Sequence, residues 1–435
     1  MIERRDDLVS KSFEGTATHW PLIESAEQHI FDYFFTFYRP KGKYDKVIYL
    51  PVDNETQTLL TDFEIFGRWP WNRAAWEGIL DFVSKGKPKA IIFDILFPEP
   101  NLDDSEGITT WPEEGGTPHG MGDLIFREAI EASTLVYLPY RLPSVSPLKI
   151  SSDELEFLSS VSPVIPSSDL SSVQNMVVCT GEVADEPIPA FYKDLEVGFG
   201  WVDGEQDDDG ALRRTALIVR HKDVKNKAIP CMGLAAVLKG EPGLIRFDKS
   251  GQLLRKGIPI PRNENGHYLI GWSGTLRERY ENHSLGMVVM SQQIADEELS
   301  KKEYTDAKGK LEDLIDPKVF KDKYIIIGTT IVGAHDIKET PFSPNEPALI
   351  KHLATIECLL EDKFMERASS GLVLAIIAFI CFGGAVLFLN SGSPFRSTIV
   401  AVIIALTYLT SSAQLFGAYR YQLDVFTPLL ALASV

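Results

Sequence analysis

The sequence predicts an α/β protein: a mostly parallel sheet with helices on both faces and a β-rich insertion, followed by transmembrane α-helices. Three observations lead to this prediction. Short buried strands alternate with helical segments early in the chain, a middle part rich in short strands precedes one more strand and helix, and two uncharged apolar runs come near the end. Alternation of strands and helices favours a parallel sheet, because the connecting helices cover both of its faces.

The membrane-spanning prediction rests on length. Residues 371–389 read GLVLAIIAFICFGGAVLFL without a charge, and residues 397–418 repeat the pattern after a short loop. A helix rises about 1.5 Å per residue, so roughly 20 apolar residues cross the hydrocarbon core. Residues 421–435 contain Asp424 and Pro428 and are predicted to begin a third span, cut off at Val435. A chain end inside the bilayer would leave backbone groups unpaired, so we expect a longer protein.

Charge and cysteine content narrow the functional classes. The net charge of -18, without a basic stripe, argues against a nucleic-acid partner, because phosphate binding needs clustered Lys and Arg. The four cysteines show neither zinc-ligand spacing nor a disulfide framework. Residues 1–20 are polar and charged and contain no apolar signal or anchor. An extracytoplasmic domain would therefore need a span before Met1, and otherwise the domain is cytoplasmic.

The soluble part divides into an N-terminal segment, residues 1–29, and a domain over residues 30–365. Its periodicity predicts helices over residues 24–38, 71–85, 124–132, 231–238, 291–301 and 348–361. It predicts strands over residues 47–52, 90–93, 135–138, 198–202, 212–219, 267–272 and 324–328. We expect strand 324–328 to join the sheet of the first three strands. Residues 30–140 and 315–365 would then form one core, with the β-rich residues 173–290 as an insertion.

Carboxylates follow two of the predicted core strands, where ligands of parallel sheets bind. These are Asp53 and Asp94, and Asp336 lies in a similar position beyond the strand at 324–328. Asp53 and Glu55 resemble the aspartate pair of haloacid-dehalogenase-like phosphatases, but the second acid is Glu, and Gln57 stands where that family has Thr or Val. A membrane-tethered, metal-dependent phosphohydrolase that uses the strand-end carboxylates is the alternative function.

The run GRWPWNR, residues 67–73, places Arg68, Trp69, Trp71 and Arg73 around a proline just before a predicted helix. Two interpretations stay open. The aromatic rings could close the edge of the sheet, with the arginines paired to acids. Alternatively, the cations and rings together could bind an anionic ligand.

The acidic turn DGEQDDDG offers Glu205, Asp207 and Asp209 at alternating positions before a glycine, as a calcium loop does. The bidentate Glu that ends such a loop is replaced by Ala216. A solvated turn is therefore the preferred interpretation, these three acids are weak metal candidates, and no metal or cofactor is predicted.

Arg213 and Arg214 follow this turn on a predicted strand, where one of them points inward. A buried arginine needs a carboxylate, and Asp53 and Asp94 are the expected partners. No GxSxG, HExxH, P-loop or paired CxxC motif is present, so no catalytic residue is predicted.

Six segments, in this order, resemble the second class of CHASE domain (cyclase/histidine-kinase-associated sensory extracellular). They read VIYLPVDNET, GRWPWNR, AIIFDILFPEP, LVYLP, GFGWVDGEQDDDGALRR and KDKYIIIGTTIVGAHDIKETPFSP. The resemblance covers residues 30–365, and the hydrophobic segments behind it match the usual arrangement of that family. Members commonly carry a His-Ala pair in the last helix, which here reads His352 and Leu353.

The resemblance implies a multi-pass receptor of the bacterial cytoplasmic membrane, with a periplasmic or extracellular sensory domain and a homodimeric state. The resemblance does not identify the small-molecule or protein stimulus. Our own hypothesis is that the stimulus acts through residues 348–364, a last helix that we expect to be continuous with the first span. The cytoplasmic output would be an adenylate or guanylate cyclase, a histidine or serine/threonine kinase, or a diguanylate cyclase. The ligand-binding candidates are Asp53, Arg68, Trp69, Trp71, Arg73, Asp94, Arg213, Arg214 and Asp336.

Overall fold

The computed structural model describes residues 21–101, 108–111, 117–133, 135–142, 156–158, 177–179, 195–202, 204, 206–221, 228–248, 251–296, 313–331 and 336–434. The chain forms two compact units. Residues Arg39–Glu366 make up the first, here called the sheet domain. Residues Met1–Tyr38 and Arg367–Val435 together make up the second, here called the helical unit.

A six-stranded sheet organises the sheet domain. In chain order its strands are β1 (Tyr44–Val52), β2 (Ala90–Asp94), β3 (Val136–Tyr140), β4 (Gly198–Trp201), β5 (Tyr280–Asn282) and β6 (Tyr324–Thr329). Their order across the sheet is β5-β1-β6-β2-β3-β4, and every neighbouring pair is parallel. The predicted α/β class with a mostly parallel sheet is therefore confirmed.

Strand β6 lies at the centre of this sheet, between β1 and β2, although it follows them by more than two hundred residues. Leu50 pairs with Ile327 on one side, and Ile92 pairs with Ile326 on the other. All three strands are buried on both faces, which explains their continuous apolar runs. The expectation that the late strand joins the early ones is confirmed, and the middle of the chain supplies both edge strands.

Eleven helices are labelled within the described residues. They are α1 (Pro21–Tyr38), α2 (Asn54–Asp62), α3 (Trp76–Lys85), α4 (Met121–Ala132), α5 (Met232–Gly240), α6 (Leu276–Arg279), α7 (Leu285–Ala295), α8 (Ile350–Glu361), α9 (Ser370–Ser391), α10 (Pro394–Tyr419) and α11 (Phe426–Ala433). In the sheet domain, α5 packs against α8, and α7 packs against α2 and α3.

Two predicted helices begin five or more residues away from their start in the structure. The helix expected from residue 71 begins at Trp76, after a single 3-10 turn at Arg73–Ala75. The helix expected over residues 291–301 is α7, which spans Leu285–Ala295, and residues 297–301 lie outside the described part. Helix α2 was not predicted, because its sequence NETQTLLTD has a weak apolar face.

The smaller strands form short sheets beside the main one. They are Ile108–Trp111 with Thr117–Gly120, Val177–Cys179 with Ile218–His221 and Ile229–Pro230, Arg214–Thr215 with Tyr268–Leu269, Ile245–Phe247 with Leu253–Arg255 and Ile258–Pro259, and Ile337–Thr340 with Ser343–Pro347. The acidic turn therefore lies between strands of two different sheets, Gly198–Trp201 and Arg214–Thr215.

The helical unit contains α1, α9, α10 and α11. Residues Ser370–Asn390 and Pro394–Tyr419 are long and apolar enough to cross a membrane, with mean hydropathy of 2.9 and 1.9. The two predicted spans are thus consistent with the structure. Helix α11 has eight residues and follows a short strand at Tyr421–Gln422. A third span that starts there stays a prediction.

The expected continuity between the last helix of the soluble domain and the first span is wrong. Helix α8 ends at Asp362, whose φ of 57° places it in the left-handed region. A left-handed residue cannot continue a right-handed helix, and α9 begins only at Ser370. A non-helical segment, which contains the short strand Glu366–Arg367, makes the connection.

Candidate functional site

The carboxyl edge of the sheet brings together the ends of strands β1, β6 and β2. Val52 of β1 pairs with Thr329 of β6, and Gly328 of β6 pairs with Asp94 of β2. Asp53 and Asp94 therefore both lie at this edge, as a parallel sheet requires. Strands lie about 4.8 Å apart, so the intervening β6 separates the two acids by roughly 10 Å. They do not form a carboxylate pair.

Asp53 stabilises the start of a helix. It is the N-cap of α2, and its Oδ1 accepts a hydrogen bond of 2.8 Å from the backbone N–H of Thr56. Such a cap pairs one of the four N–H groups that a helix start leaves without an intrahelical partner. Helix α2 is anchored further by Thr56, whose hydroxyl accepts a hydrogen bond from the backbone N–H of Gly286 at the start of α7.

Asp94 faces the first turn of α8. Its Oδ1 lies 3.6 Å from Nε2 of His352, whose side chain is only 4% exposed, while that of Asp94 is 22% exposed. Burial alone would raise the pKa of Asp94, but His352 and Lys351 outweigh burial and lower it. The carboxylate is therefore held in its charged form.

Lys351 completes this group of side chains. Lys351 is 4% exposed, and its Nζ donates a hydrogen bond of 2.8 Å to the carbonyl oxygen of Val202, just beyond β4. The same Nζ lies 5.6 Å from the ring centroid of Trp201, a cation–aromatic contact. Asp94, Trp201, Lys351 and His352, here called the edge cluster, thus connect α8 with the ends of β2 and β4.

The GRWPWNR run builds an aromatic cluster beside the same edge. The Trp71 ring centroid lies 5.1 Å from that of Trp69 and 5.7 Å from that of Trp76. Trp76 in turn packs edge-on against Phe93 of β2, at 5.2 Å and 90°. Trp69 is further held by its backbone N–H, which donates to Gln57 Oε1 at 2.8 Å. These contacts agree with rings that close the sheet edge.

Arg73 and Arg68 have different surroundings. Arg73 Nη1 donates to Oδ1 of the fully buried Asp123 at 2.6 Å, and its Nη2 donates to the carbonyl oxygen of Glu99. Its guanidinium also lies 5.5 Å from the ring centroid of Phe97. For Arg73 these contacts favour the interpretation of an arginine paired with an acid. Arg68 is exposed, so the anion-binding interpretation stays a hypothesis for it.

The prediction that Arg213 pairs with Asp53 or Asp94 is wrong. Arg213 is 4% exposed, and its Nη1 lies 3.2 Å from Asp207 Oδ2 and 2.9 Å from Asp209 Oδ1. Arg214 Nε lies 3.2 Å from the other oxygen of Asp207. The acidic loop folds back on the arginines that follow it, because a carboxylate four to six residues away reaches a buried guanidinium at less entropic cost than one on a distant strand.

The metal candidates follow from the same contacts. Asp207 and Asp209 already accept from Arg213, and Glu205 lies outside the described residues. In the part of the chain that the structure describes, no three His, Cys, Asp or Glu side chains are grouped to hold a metal ion. The phosphohydrolase alternative gains no support from these contacts. Asp336 is largely exposed and pairs with Lys338 at 3.1 Å.

A second buried cluster, which the sequence did not predict, lies at the other end of α8. Glu357 is 1% exposed and accepts from Arg279 Nη2 at 2.6 Å, from Tyr280 Oη at 2.8 Å and from Lys363 Nζ at 2.5 Å. Burial raises the pKa of Glu357, but the hydrogen bonds from Arg279 and Lys363 prevail and lower it. Arg279, Tyr280, Glu357 and Lys363 are here called the base cluster.

The base cluster also holds the chain where it leaves the sheet domain. Lys363 follows α8 directly, and the backbone N–H of Met365 donates to the carbonyl oxygen of Leu269 at 3.0 Å. A Cβ placed on Gly271 would lie 1.8 Å from the carbonyl oxygen of Lys363. Only glycine allows this close approach, so the exit segment is fixed against the strand Tyr268–Leu269.

Comparison with known protein families identifies the family to which this chain belongs. The model of the CHASE2 domain matches residues 13–386, which is most of the chain. The chain belongs to the CHASE2 domain family. Comparison with curated proteins and with solved structures gave no match. CHASE2 is a family of extracellular sensory domains, so a sensory input domain is the function that membership supports, and the two apolar helices agree with membrane anchoring.

Two residues of the edge cluster are also singled out by the sequence of this CHASE2 domain. His352, the residue named for the last-helix motif, contacts Asp94, which was named for its place at a strand end. Lys351 and Trp201 are not among the predicted site residues, although a lysine in a largely apolar helix indicates a buried charge that needs a partner. Glu357 is likewise a charged residue in this helix, but its partner Arg279 lies 78 residues away, and no local sequence pattern connects the two.

Proposed function

We propose that this CHASE2 domain senses its stimulus at the carboxyl edge of the sheet and transmits it through α8. In this proposal the domain lies outside the bacterial cytoplasmic membrane, in a homodimeric multi-pass receptor. Its cytoplasmic output is a cyclase, kinase or diguanylate cyclase. The stimulus is a small molecule or a protein that changes the edge cluster.

The observation that carries the proposal is the position of α8. Every residue from Ile350 to Leu360 is buried, so the helix is enclosed in the core. The edge cluster lies at its first turn, and the base cluster lies at its last. The 12 residues of the helix span about 18 Å, so the two clusters lie at opposite ends of one buried helix.

This arrangement supports transmission for a physical reason. Packed interiors do not deform continuously, so a displacement of one end of a buried helix moves the other end with it. A stimulus that binds two positions of α8 with different affinity shifts the equilibrium between them. Lys363 and Glu357 then carry the change to the chain that leaves the domain.

The test measures basal output of the full-length receptor, because a shifted equilibrium is visible without the stimulus. The variants are Asp94→Asn and His352→Gln, and the matched control is Asp313→Asn, an exposed aspartate. We expect both edge-cluster variants to change basal output and the control to leave it unchanged. Unaltered output from edge-cluster variants that keep their unfolding midpoint would contradict the proposal.

A further inference from the structure

Helix α1 has a buried face within the helical unit. Phe31, Phe34 and Phe35 all pack on the ring of Phe416 in α10, with centroid distances of 6.4, 5.4 and 4.9 Å. The three phenylalanines are 3 to 5% exposed. Gly417 lies directly under the ring of Tyr38, since a Cβ there would meet this ring at 2.4 Å. Helix α1 is therefore packed closely against the end of α10.

A buried carboxylate fixes α1 to α11 as well. Glu27 is 2% exposed, and its Oε2 accepts from the backbone N–H of Val425 at 2.7 Å. Its Oε1 accepts from the backbone N–H and the hydroxyl of Thr427, at 2.8 and 3.1 Å. Glu27 thus pairs N–H groups that the start of α11 would otherwise leave without a partner. Helix α1 lies across the turn that joins α10 to α11.

This turn lies at one end of the candidate spans. Helices α9 and α10 follow each other through a short loop, so the end of α10 returns to the side on which α9 begins. The backbone N–H of Ala368 donates to the carbonyl oxygen of Gln422 at 2.8 Å, and Arg367 pairs with Asp424 at 3.1 Å. When α9 and α10 cross a bilayer, this level is the membrane–water boundary.

The remaining surface of α1 is divided lengthwise. One stripe is apolar and consists of Ala26, Ile30, Tyr33 and Phe37. The neighbouring stripe is polar and consists of Ser25, His29, Asp32 and Thr36. Each stripe follows the spacing of residues that lie above one another on a helix. The side chains of Tyr33 and Phe37 are large and apolar, yet these residues are 66% and 69% exposed.

We propose that α1 is an interfacial helix that inserts this apolar stripe into the bilayer surface while its polar stripe faces water. A helix with one apolar and one polar outward stripe fits a boundary that is hydrocarbon on one side and water on the other. Tyr419 at the end of α10 is 76% exposed and places another large aromatic side chain at this end of the span. Aromatic residues at span ends commonly occupy this depth.

The experiment places a fluorophore on each stripe of the whole chain in phospholipid vesicles. Single cysteines replace Tyr33 and Phe37 on the apolar stripe, and His29 and Thr36 on the polar stripe as matched controls. Cys179 and Cys381 are replaced by serine, while the buried Cys231 and Cys358 are retained. The probe is an environment-sensitive maleimide. The quenchers are phospholipids with a nitroxide near the headgroup and, separately, aqueous iodide.

We expect the lipid nitroxide to quench the probe on the apolar stripe and iodide to quench the probe on the polar stripe. Lipid quenching that is equal on both stripes, or absent from both, would overturn the proposal. Protection of the apolar stripe from both quenchers would also overturn it, because the stripe would then be covered by protein. Nitroxides at the acyl chain end should quench less than those near the headgroup, since deep quenching would indicate a span.

Discussion

At the residue scale, the buried charged groups on α8 are defined by what they contact. Lys351 and His352 meet a carbonyl oxygen, an aromatic ring and the Asp94 carboxylate at one end of the helix. Glu357 meets two cations and a tyrosine hydroxyl at the other. A buried charge is tolerated only when its partners are in place, so each of these residues is sensitive to the loss of a neighbour.

Replacement of Glu357 tests this sensitivity. Glu357→Gln leaves Arg279 and Lys363 without their buried counter-charge, and we expect the free energy of unfolding to fall by about 3–5 kcal/mol. The measurement is chemical unfolding followed by tryptophan fluorescence. Glu264→Gln, at an exposed position, is the control and should change stability by no more than about 0.5 kcal/mol. Equal effects of the two substitutions would show that the base cluster contributes no stability.

The same carboxylates predict a pH dependence of stability. The pKa values of Glu357 and Asp94 are lowered in the folded protein from ordinary values of 4.5 and 3.8. A group with a lowered folded pKa contributes its full stabilisation above its ordinary value and loses it as the pH falls through the folded value. We therefore expect the denaturant concentration at the unfolding midpoint to decrease when the pH is lowered below about 4.5. In Glu357→Gln this fall should be smaller, and an identical profile would contradict the assignment.

At the element scale, the end of α8 decides how the sheet domain is connected to the first span. Asp362 adopts the left-handed conformation, and the segment after it is held by Lys363, Met365 and the close approach at Gly271. This break replaces the continuous helix that the sequence suggested. In the proposed transmission, the change at α8 passes to a non-helical segment.

Substitution of Asp362 tests the left-handed cap. Asp362→Gly removes the steric cost of this conformation and should raise the free energy of unfolding by roughly 1 kcal/mol. Asp362→Ala keeps that cost, and alanine tolerates the left-handed region less well than aspartate, so it should lower stability. The ion pair with Arg255 contributes little, because Arg255 Nη1 lies 3.9 Å from Asp362 Oδ2 and the Asp362 side chain is 54% exposed. A loss of stability in both variants, measured by thermal unfolding, would contradict this explanation.

At the scale of the whole molecule, the two ends of the chain combine in the helical unit, while the residues between them form the sheet domain. Helix α1 precedes the sheet and α9 follows it, yet Glu27 caps α11 and the phenylalanines of α1 enclose Phe416. The unit that contains the two candidate spans therefore also includes α1, although α1 lies more than 300 residues before them in the sequence.

If α9 and α10 cross a bilayer, the free-energy cost of placing an arginine on them depends on its depth in the membrane. Phe379, in the middle of α9, is 78% exposed, and Phe395, at the start of α10, is 75% exposed. Phe379→Arg should make membrane insertion of α9 less favourable by about 2.5–3.5 kcal/mol. Phe395→Arg should have a smaller effect on α10, because an arginine at the start of the helix can reach the headgroups. The measurement is the fraction of each helix inserted in a membrane-integration assay. Equal insertion of the two variants would indicate that α9 does not cross the bilayer.

How much the sequence predicted depends on the range of each interaction. Continuous apolar runs identified β1, β2, β3 and β6, because burial on both faces leaves a local pattern. The geometry of parallel strands places Asp53, directly after β1, and Asp94, the last residue of β2, at one edge of the sheet. Their roles were not predictable, since the N-cap bond of Asp53 depends on an unpredicted helix and the contact between Asp94 and His352 depends on tertiary packing.

The sequence by itself determined the α/β class, the parallel sheet, the two apolar helices and the resemblance to the CHASE2 family, because these depend on local periodicity, length and segment order. Only the tertiary structure decided that β6 lies between β1 and β2, that Arg213 pairs with the acidic loop, and that Glu357 meets Arg279. Such pairings join residues that chain folding brings together, and burial makes them specific, since an unpaired charge in the core costs more than any local preference can offset.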